Sequence, residues 1–230
     1  MNITIIHGQS HHGSTCHIAR MLAEKLHGNI TEIFLPWDFD CFCTGCTSCF
    51  MQGAESCPHY EKLQPITQAI DEADVLIFAS PVYVYHATGS MKALLDHYGY
   101  RWMVHRPAAC MFHKQAVCIS TAAGAGIKST NKDMADSLFY WGVARIYRYG
   151  MAVNAVSWDG IPAKKRAKIE ADTDKLAKKI LARQGHVTPS WKTRAFFTAM
   201  HFVQQKGWNE ADATYWKQQG WTGSKRPWKE

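Results

Sequence analysis

What this 230-residue chain lacks narrows its function before any motif is considered. No run of about 18 or more apolar residues occurs, which argues against a transmembrane helix and a membrane partner. Met1-Asn2-Ile3-Thr4-Ile5-Ile6 has no basic segment ahead of its apolar one. It therefore reads as a strand and not a signal peptide, and a cytoplasmic location is expected. There is no internal repeat and no low-complexity tract. The G-x-x-x-x-G-K-S/T phosphate loop is missing, and so is the full G-x-G-x-x-G dinucleotide fingerprint. Two C-x2-C pairs joined by a long spacer, the usual frame of a zinc module, are also absent. No acid–base triad or activated nucleophile stands out, so no residue is assigned as catalytic.

Acidic residues are outnumbered by basic ones, 19 against 26, for a formal charge of +7. Much of the excess lies in Lys164-Lys165-Arg166-Ala167-Lys168, Lys178-Lys179 and Lys225-Arg226-Pro227-Trp228-Lys229. The first two groups fall on an expected helix with interleaved Glu170, Asp172 and Asp174, which describes a solvated face. No recognition motif accompanies them, so no nucleic-acid partner is expected. Part of the positive charge would attract anionic cofactors.

The chain alternates between two periodicities. Residues 2–7 form an apolar, β-branched run ending in His7-Gly8. Gly13-Ser14-Thr15 opens a helical pattern with Ile18, Met21, Leu22 and Leu26 on one face. Further strands are expected at 30–35, 74–79, 116–120 and about 144–154, with helices near 61–72, 88–98, 129–141 and 162–183. Five strands alternating with helices predict an α/β doubly wound parallel sheet, because parallel neighbours need helical crossovers. Residues 1–186 are expected to form this domain, with a cysteine-rich loop at 41–58. Residues 187–230 carry Trp191, Trp208, Trp216, Trp221 and Trp228 and lie outside the alternation. Disordered tails are poor in aromatics, so short helices packed on the domain or on a partner subunit are expected there.

In such sheets ligands bind beyond the carboxyl ends of the strands. Three loops leave those ends. In His7-Gly8-Gln9-Ser10-His11-His12-Gly13-Ser14-Thr15-Cys16, small residues and hydroxyls at a helix start suit a phosphate monoester or a simple capped helix. His11 and His12 read either as a metal pair or, as is commoner for adjacent histidines on a loop, as solvent-facing side chains. The second loop, Ser80 to Asp96, resembles the S-P-V-Y-x4-T-G-x-L/M-K-A-L/F-x-D segment of the NADPH-dependent FMN reductase family. The resemblance rests on Pro81, Val82, Tyr83, Thr88, Gly89, Lys92 and Asp96.

This resemblance implies a flavodoxin-like fold with strand order 2-1-3-4-5, and FMN as cofactor. In the family the segment wraps the isoalloxazine and ribityl parts, here at Pro81, Val82, Tyr83, Val84 and Tyr85. The family's phosphate loop falls on residues 8–16 and implies binding by Gln9, Ser10, His11, Ser14, Thr15 and Cys16. Gly8 and Ser14 match it directly; His11 stands where the family carries an arginine, replacing a permanent cation. The third loop, Ser120 to Gly126, resembles the family's Thr-x-x-Gly turn beneath the ring, with Thr121, Ala122 and Gly124 as contacts.

Eight cysteines in a chain of this kind point to metal or redox chemistry more than to disulfides. Cys43, Cys46, Cys49 and Cys57 give C-x2-C-x2-C-x7-C, with Cys41 just upstream. Three thiolates at this spacing can wrap one face of a cluster while a fourth returns from the loop's far end; a four-cysteine zinc site or unmetallated thiols are the other readings. The spacing resembles that of the iron–sulfur flavoproteins, a branch of the same family, which implies a [4Fe–4S] cluster on these four residues. Pro58-His59-Tyr60-Glu61 replaces the acidic residues often found after the last cysteine there. Cys118 is expected in the core.

The ending from Asn209 to Trp221 resembles the D-x-x-Y-W-x3-G-W terminus of some bacterial members. Together these features predict an FMN-dependent NAD(P)H oxidoreductase, a homodimer or homotetramer, delivering electrons to a small-molecule or protein acceptor. Two other readings are a non-enzymatic flavodoxin-like carrier and a zinc-stabilised binding module without flavin.

Overall fold

The computed structural model describes residues 1–229. Five strands, β1 (Asn2–His7), β2 (Asn29–Phe34), β3 (Val75–Pro81), β4 (Gln115–Ala122) and β5 (Arg145–Ala152), form one parallel sheet. Their order is β2-β1-β3-β4-β5, the flavodoxin-like arrangement that the family resemblance implies. β3 and β4 are buried almost throughout, as apolar central strands covered on both faces must be. β2 is an edge strand and largely exposed.

Alternation along each strand feeds two cores. Ile3 and Ile5 of β1 pack on one face with Ile18 and Leu22 of α1 (Ser14–Lys25). Ile169, Ala177 and Ile180 of α6 (Ala163–Leu181) complete that core. Ile6, Leu76 and Phe78 point the other way, onto α3 (Tyr60–Glu72), α4 (Gly89–Asp96) and α5 (Ile127–Tyr140). Leu63, Ile66 and Ile70 on α3, and Met134 and Leu138 on α5, recur at helical spacing, which is why these segments are helices and why they turn that face inward. A four-residue helix, α2 (Ser48–Met51), lies within the cysteine loop.

The C-terminal region folds into α7 (Trp191–Gln205) and α8 (Glu210–Gln218). At 15 residues α7 is longer than the short helices expected. Its buried positions are Thr193, Phe197, His201 and Gln204, a polar inner face that hides the usual apolar stripe. His201 donates Nδ1–H to the Trp221 carbonyl at 2.6 Å, and Gln204 donates to Val104 O at 2.5 Å. Phe197, Trp216 and Trp221 form a third core with Met103 and Phe112 of the sheet domain. Trp191 and Trp208 remain exposed. Among the described residues, no helix is long and apolar enough to cross a membrane.

Candidate functional site

Strand order reverses between β1 and β3, and the register sets their ends side by side. His7 pairs with Phe34 on one side and Ala79 on the other, while Pro81 pairs with Thr121. The three loops expected to bind therefore leave the sheet next to one another, at the point where open α/β sheets bind ligands.

Their side chains then tie them together. Thr88 donates its hydroxyl to Gly8 O at 2.5 Å and accepts from Met91 N at 3.2 Å, capping α4. Ser80 Oγ accepts from Thr88 N at 3.1 Å. Gln9 donates to the Tyr83 hydroxyl at 2.8 Å, and Thr15 and Thr121 share a hydrogen bond of 2.6 Å. A Cβ on Gly8 would meet Thr88 Oγ1 at 2.9 Å, so only glycine allows this closeness.

The resulting cleft, about 170 Å³, is lined by Gln9, His11, Ser14, Thr15, Cys16, Pro81, Val82, Thr121 and Ala122 among the residues expected from sequence. Its floor is the start of α1, whose N-cap Gly13 offers no side-chain cap, leaving first-turn amides to a ligand. Ser10, Tyr83, Val84, Tyr85 and Gly124 do not line it. The Ser10 amide and hydroxyl both turn to Gln9 Oε1 instead. Sequence reasoning missed His7, Val153, Ala155 and Val156, which close the cleft from the ends of β1 and β5. The Val153–Val156 segment has no motif; only the neighbouring position of β5 could have indicated it. A larger groove between α1 and α6 lies away from the strand ends.

Tyr83 and His86 exchange backbone hydrogen bonds of 2.9 and 3.0 Å around a two-residue turn. Val84 and Tyr85 occupy it at φ 47° and 67°, a left-handed conformation that suits asparagine or glycine. A β-branched residue there stores strain on the order of 1–3 kcal/mol. Both side chains face solvent, Val84 at 93% exposure and Tyr85 at 63%. Asp133 of α5 steadies the turn by accepting from Ala87 N at 3.1 Å and by pairing with His86 Nδ1 at 3.0 Å.

Beneath the cleft, His7 Nε2 lies 2.8 Å from Glu32, and Arg20 Nε donates to both Glu32 oxygens at 2.8 and 3.1 Å. Burial lowers the His7 pKa despite its carboxylate partner. Burial also opposes ionisation of Glu32, but hydrogen bonds from Arg20 and His7 outweigh it and hold the carboxyl below its usual value. The Cys16 thiol is raised by burial, so it is a protonated packing group rather than a nucleophile. Cys118, fully buried in β4, is pushed up to about 12.

The cysteine loop is built differently. Cys43 and Cys46 are exposed, whereas Cys49, on α2, and Cys57 are half-buried. Burial raises the Cys49 thiol, and the sulfurs of Cys57, Cys43 and Cys46 push it further in the same direction. All four thiols belong to the one segment from Cys43 to Cys57. Among the described residues, however, they supply no group of three sulfurs within 4.8 Å of one another. Arg106 clamps the loop by donating to the carbonyls of Phe50, at 3.0 Å, and Cys49. Its other partner is Asp212 of α8, 1% exposed, at 2.5 Å; His105 binds the second Asp212 oxygen at 2.7 Å. Tyr215 donates to Pro107 O and Trp216 to His105 O, each at 2.6 Å. The D-x-x-Y-W residues therefore fasten the C-terminal extension to the segment that grips the loop.

Comparison with known proteins agrees with this geometry. A family model described as NADPH-dependent FMN reductase matches residues 1–156. An iron–sulfur flavoprotein of Archaeoglobus fulgidus is 35% identical over 63 residues, 26% of this chain and 28% of that protein. Among solved structures, a flavone reductase superposes with a TM-score of 0.57 at 15% identity, covering 83% of this chain and 66% of that one. An FMN-dependent NADH-azoreductase from Bacillus anthracis, solved with FMN, gives 0.54 at 13% identity, over 76% of this chain and all of that one. At these identities the structural likeness is one of fold. The chain spans less than a third of the curated relative, and about two-thirds of the flavone reductase.

Proposed function

The chain belongs to the NADPH-dependent FMN reductase family, and from that premise we propose that it is an FMN-dependent oxidoreductase carrying electrons from NAD(P)H to an acceptor. The observation that carries this reading is the cleft itself, where three cross-tied strand-end loops surround an uncapped helix start. FMN fits the donor set. The first-turn amides of α1, with the hydroxyls of Ser14 and Thr15 and the side chains of Gln9 and His11, would hold its phosphate, and Ser10 would join them once its hydroxyl leaves Gln9. Cys16 packs behind them. Pro81 to Tyr85 and Thr121, Ala122 and Gly124 would border the ring.

FMN, when bound, supplies the electron chemistry, taking a hydride from a nicotinamide and releasing electrons to an acceptor. The chain's own task is to orient and shield. Thr88 and Ser80 fix the backbone of the first loop, so its amides need no reorganisation on binding. In the second loop the cleft's lining stops at Val82, so the ring would extend over the Tyr83–Tyr85 turn and Val156. These exposed apolar groups would then be covered by ring, nicotinamide or a second subunit, which supports a homodimer or homotetramer. Residues 1–186 serve as the FMN-binding domain and 187–230 as its extension.

The test is a titration of the purified protein with FMN, followed by NADPH and NADH oxidation with a quinone or azo acceptor. We expect one FMN per chain, weakened about tenfold or more by Ser14→Ala with Thr15→Ala. No FMN binding would overturn the reading. Binding without turnover would leave a flavodoxin-like carrier in its place.

A second reading concerns the cysteine loop, in which Cys43, Cys46, Cys49 and Cys57 hold a [4Fe–4S] cluster that passes electrons onward. It is supported by the C-x2-C-x2-C-x7-C spacing and by the short match to an iron–sulfur flavoprotein. Anaerobic purification with iron and sulfide analysis tests it, four of each per chain being the expected result.

A further inference from the structure

We propose that Cys57, His59 and His97 form a site for a single zinc-type divalent cation, apart from the flavin cleft. The sulfur and one nitrogen from each imidazole lie within 4.8 Å of one another. Cys57 precedes α3, His59 is the residue just before its first turn, and His97 follows the last turn of α4. An ion here would therefore pin the start of one helix to the end of another.

Hydrogen bonding fixes the donor that matters. His97 Nδ1 lies 2.7 Å from Ala93 O, and a carbonyl can only accept, so that nitrogen carries the proton. Nε2 is then left as a lone pair, facing His59 Nδ1 at 2.9 Å. This is how proteins orient a metal-binding histidine, with the far N–H donated to a backbone carbonyl. The His97 ring is further fixed by an edge contact with Phe39, centroids 4.9 Å apart, and is 4% exposed.

The imidazole pair needs little adjustment, and Cys57 Sγ, within 4.8 Å of both nitrogens, would close in on them. Zn–N bonds of about 2.0–2.1 Å in a tetrahedron place two nitrogens about 3.3 Å apart, and Zn–S of about 2.3 Å places sulfur and nitrogen about 3.6 Å apart. The two imidazoles would open by roughly 0.4 Å, exchanging their mutual hydrogen bond for two metal bonds. One thiolate with two neutral imidazoles suits zinc, cobalt or ferrous iron and not magnesium or calcium, which prefer oxygen. Three protein donors leave the fourth position to water. Cys57 is shared with the four-cysteine cluster reading, so the two occupancies exclude each other, and the inference applies to protein carrying no cluster.

The test uses full-length, reduced protein, stripped by chelator until metal analysis finds no iron, and dialysed against zinc. One zinc per chain is expected, with cobalt giving the ligand-field bands of a tetrahedral site at wavelengths beyond flavin absorption. His59→Ala and His97→Gln should each weaken binding by at least about 100-fold. A Cys43→Ser, Cys46→Ser, Cys49→Ser triple variant should bind within about twofold of the parent. His97 is buried and its variant could misfold, but His59 is half-exposed and keeps the test decisive, with circular dichroism checking the fold. Absence of stoichiometric zinc would overturn the proposal. So would binding that survives both histidine changes but not the triple variant. Because the titration does not depend on flavin, failure of the FMN reading would leave its outcome intact.

Discussion

The strand-end cleft is held from within, by loops that hydrogen-bond to one another, whereas the cysteine loop is gripped from outside by Arg106 and, through Asp212, by the C-terminal extension. The cleft's ties are short, neutral contacts among hydroxyls, amides and carbonyls, sited where the sheet register already aligns the backbone. The loop has a four-residue helix, two exposed and two half-buried cluster thiols, and no core of its own. Its order depends on one buried charge network and, if the metal readings hold, on an ion. A site that uses a preformed backbone needs little support beyond the sheet, while a site made of side chains on an irregular loop needs anchors brought from far along the chain.

The largest test of this contrast is Asp212→Ala. It leaves Arg106, 12% exposed, without its carboxylate, and such losses in fully buried pairs cost about 3–5 kcal/mol, an upper bound here. Thermal unfolding should register that loss. Hydrogen exchange should rise at residues 43–57 and in α8 before it rises in β1, β3 or β4. Equal loss of protection in the central strands would mean that the two regions are one cooperative unit.

Acidification probes the cleft. His7 has a lowered folded pKa, so the unfolded chain binds its proton first and stability falls as pH drops below about 6.5. Glu32, lowered as well, adds a loss of the same sign further down, as pH falls below its unfolded value toward its folded one. The slope assignable to His7 is at most about 1.4 kcal/mol per pH unit, and His7→Gln should flatten it between pH 7 and 5. An unchanged slope in that variant would assign the dependence elsewhere.

The smallest effect is expected at the strained turn. Val84→Asn places a residue that tolerates the left-handed region at φ 47° and should stabilise the protein by about 1 kcal/mol, seen as a raised Tm. If Val84 is instead held there to cover the bound ring or a subunit, FMN affinity or the oligomer should weaken as Tm rises. Both responses are read from one variant.

Sequence legibility followed the same division. Periodicity located the strands, because burial on both faces leaves a continuous apolar run with turn residues at its end. The segment from Pro81 to Asp96 carried the family resemblance, since a turn between strand and helix constrains its residues locally. Val153 and Val156 could not be found that way: they reach the cleft only because β5 lies beside β4. The buried face of α7 escaped for another reason. His201 and Gln204 are satisfied by partners distant in sequence, which periodicity cannot register, while Thr193 is met locally by Ser190.

The sequence by itself determined the alternation of strands and helices, the parallel sheet and the strand-end loops, because each follows from local pattern and the rules of chain connection. Tertiary structure alone decided which groups share a space. It set Asp212 under Arg106 across more than a hundred residues, and brought His97 to Cys57 and His59. Contacts of that kind depend on how separate helices pack against one sheet, and no spacing along the chain encodes them.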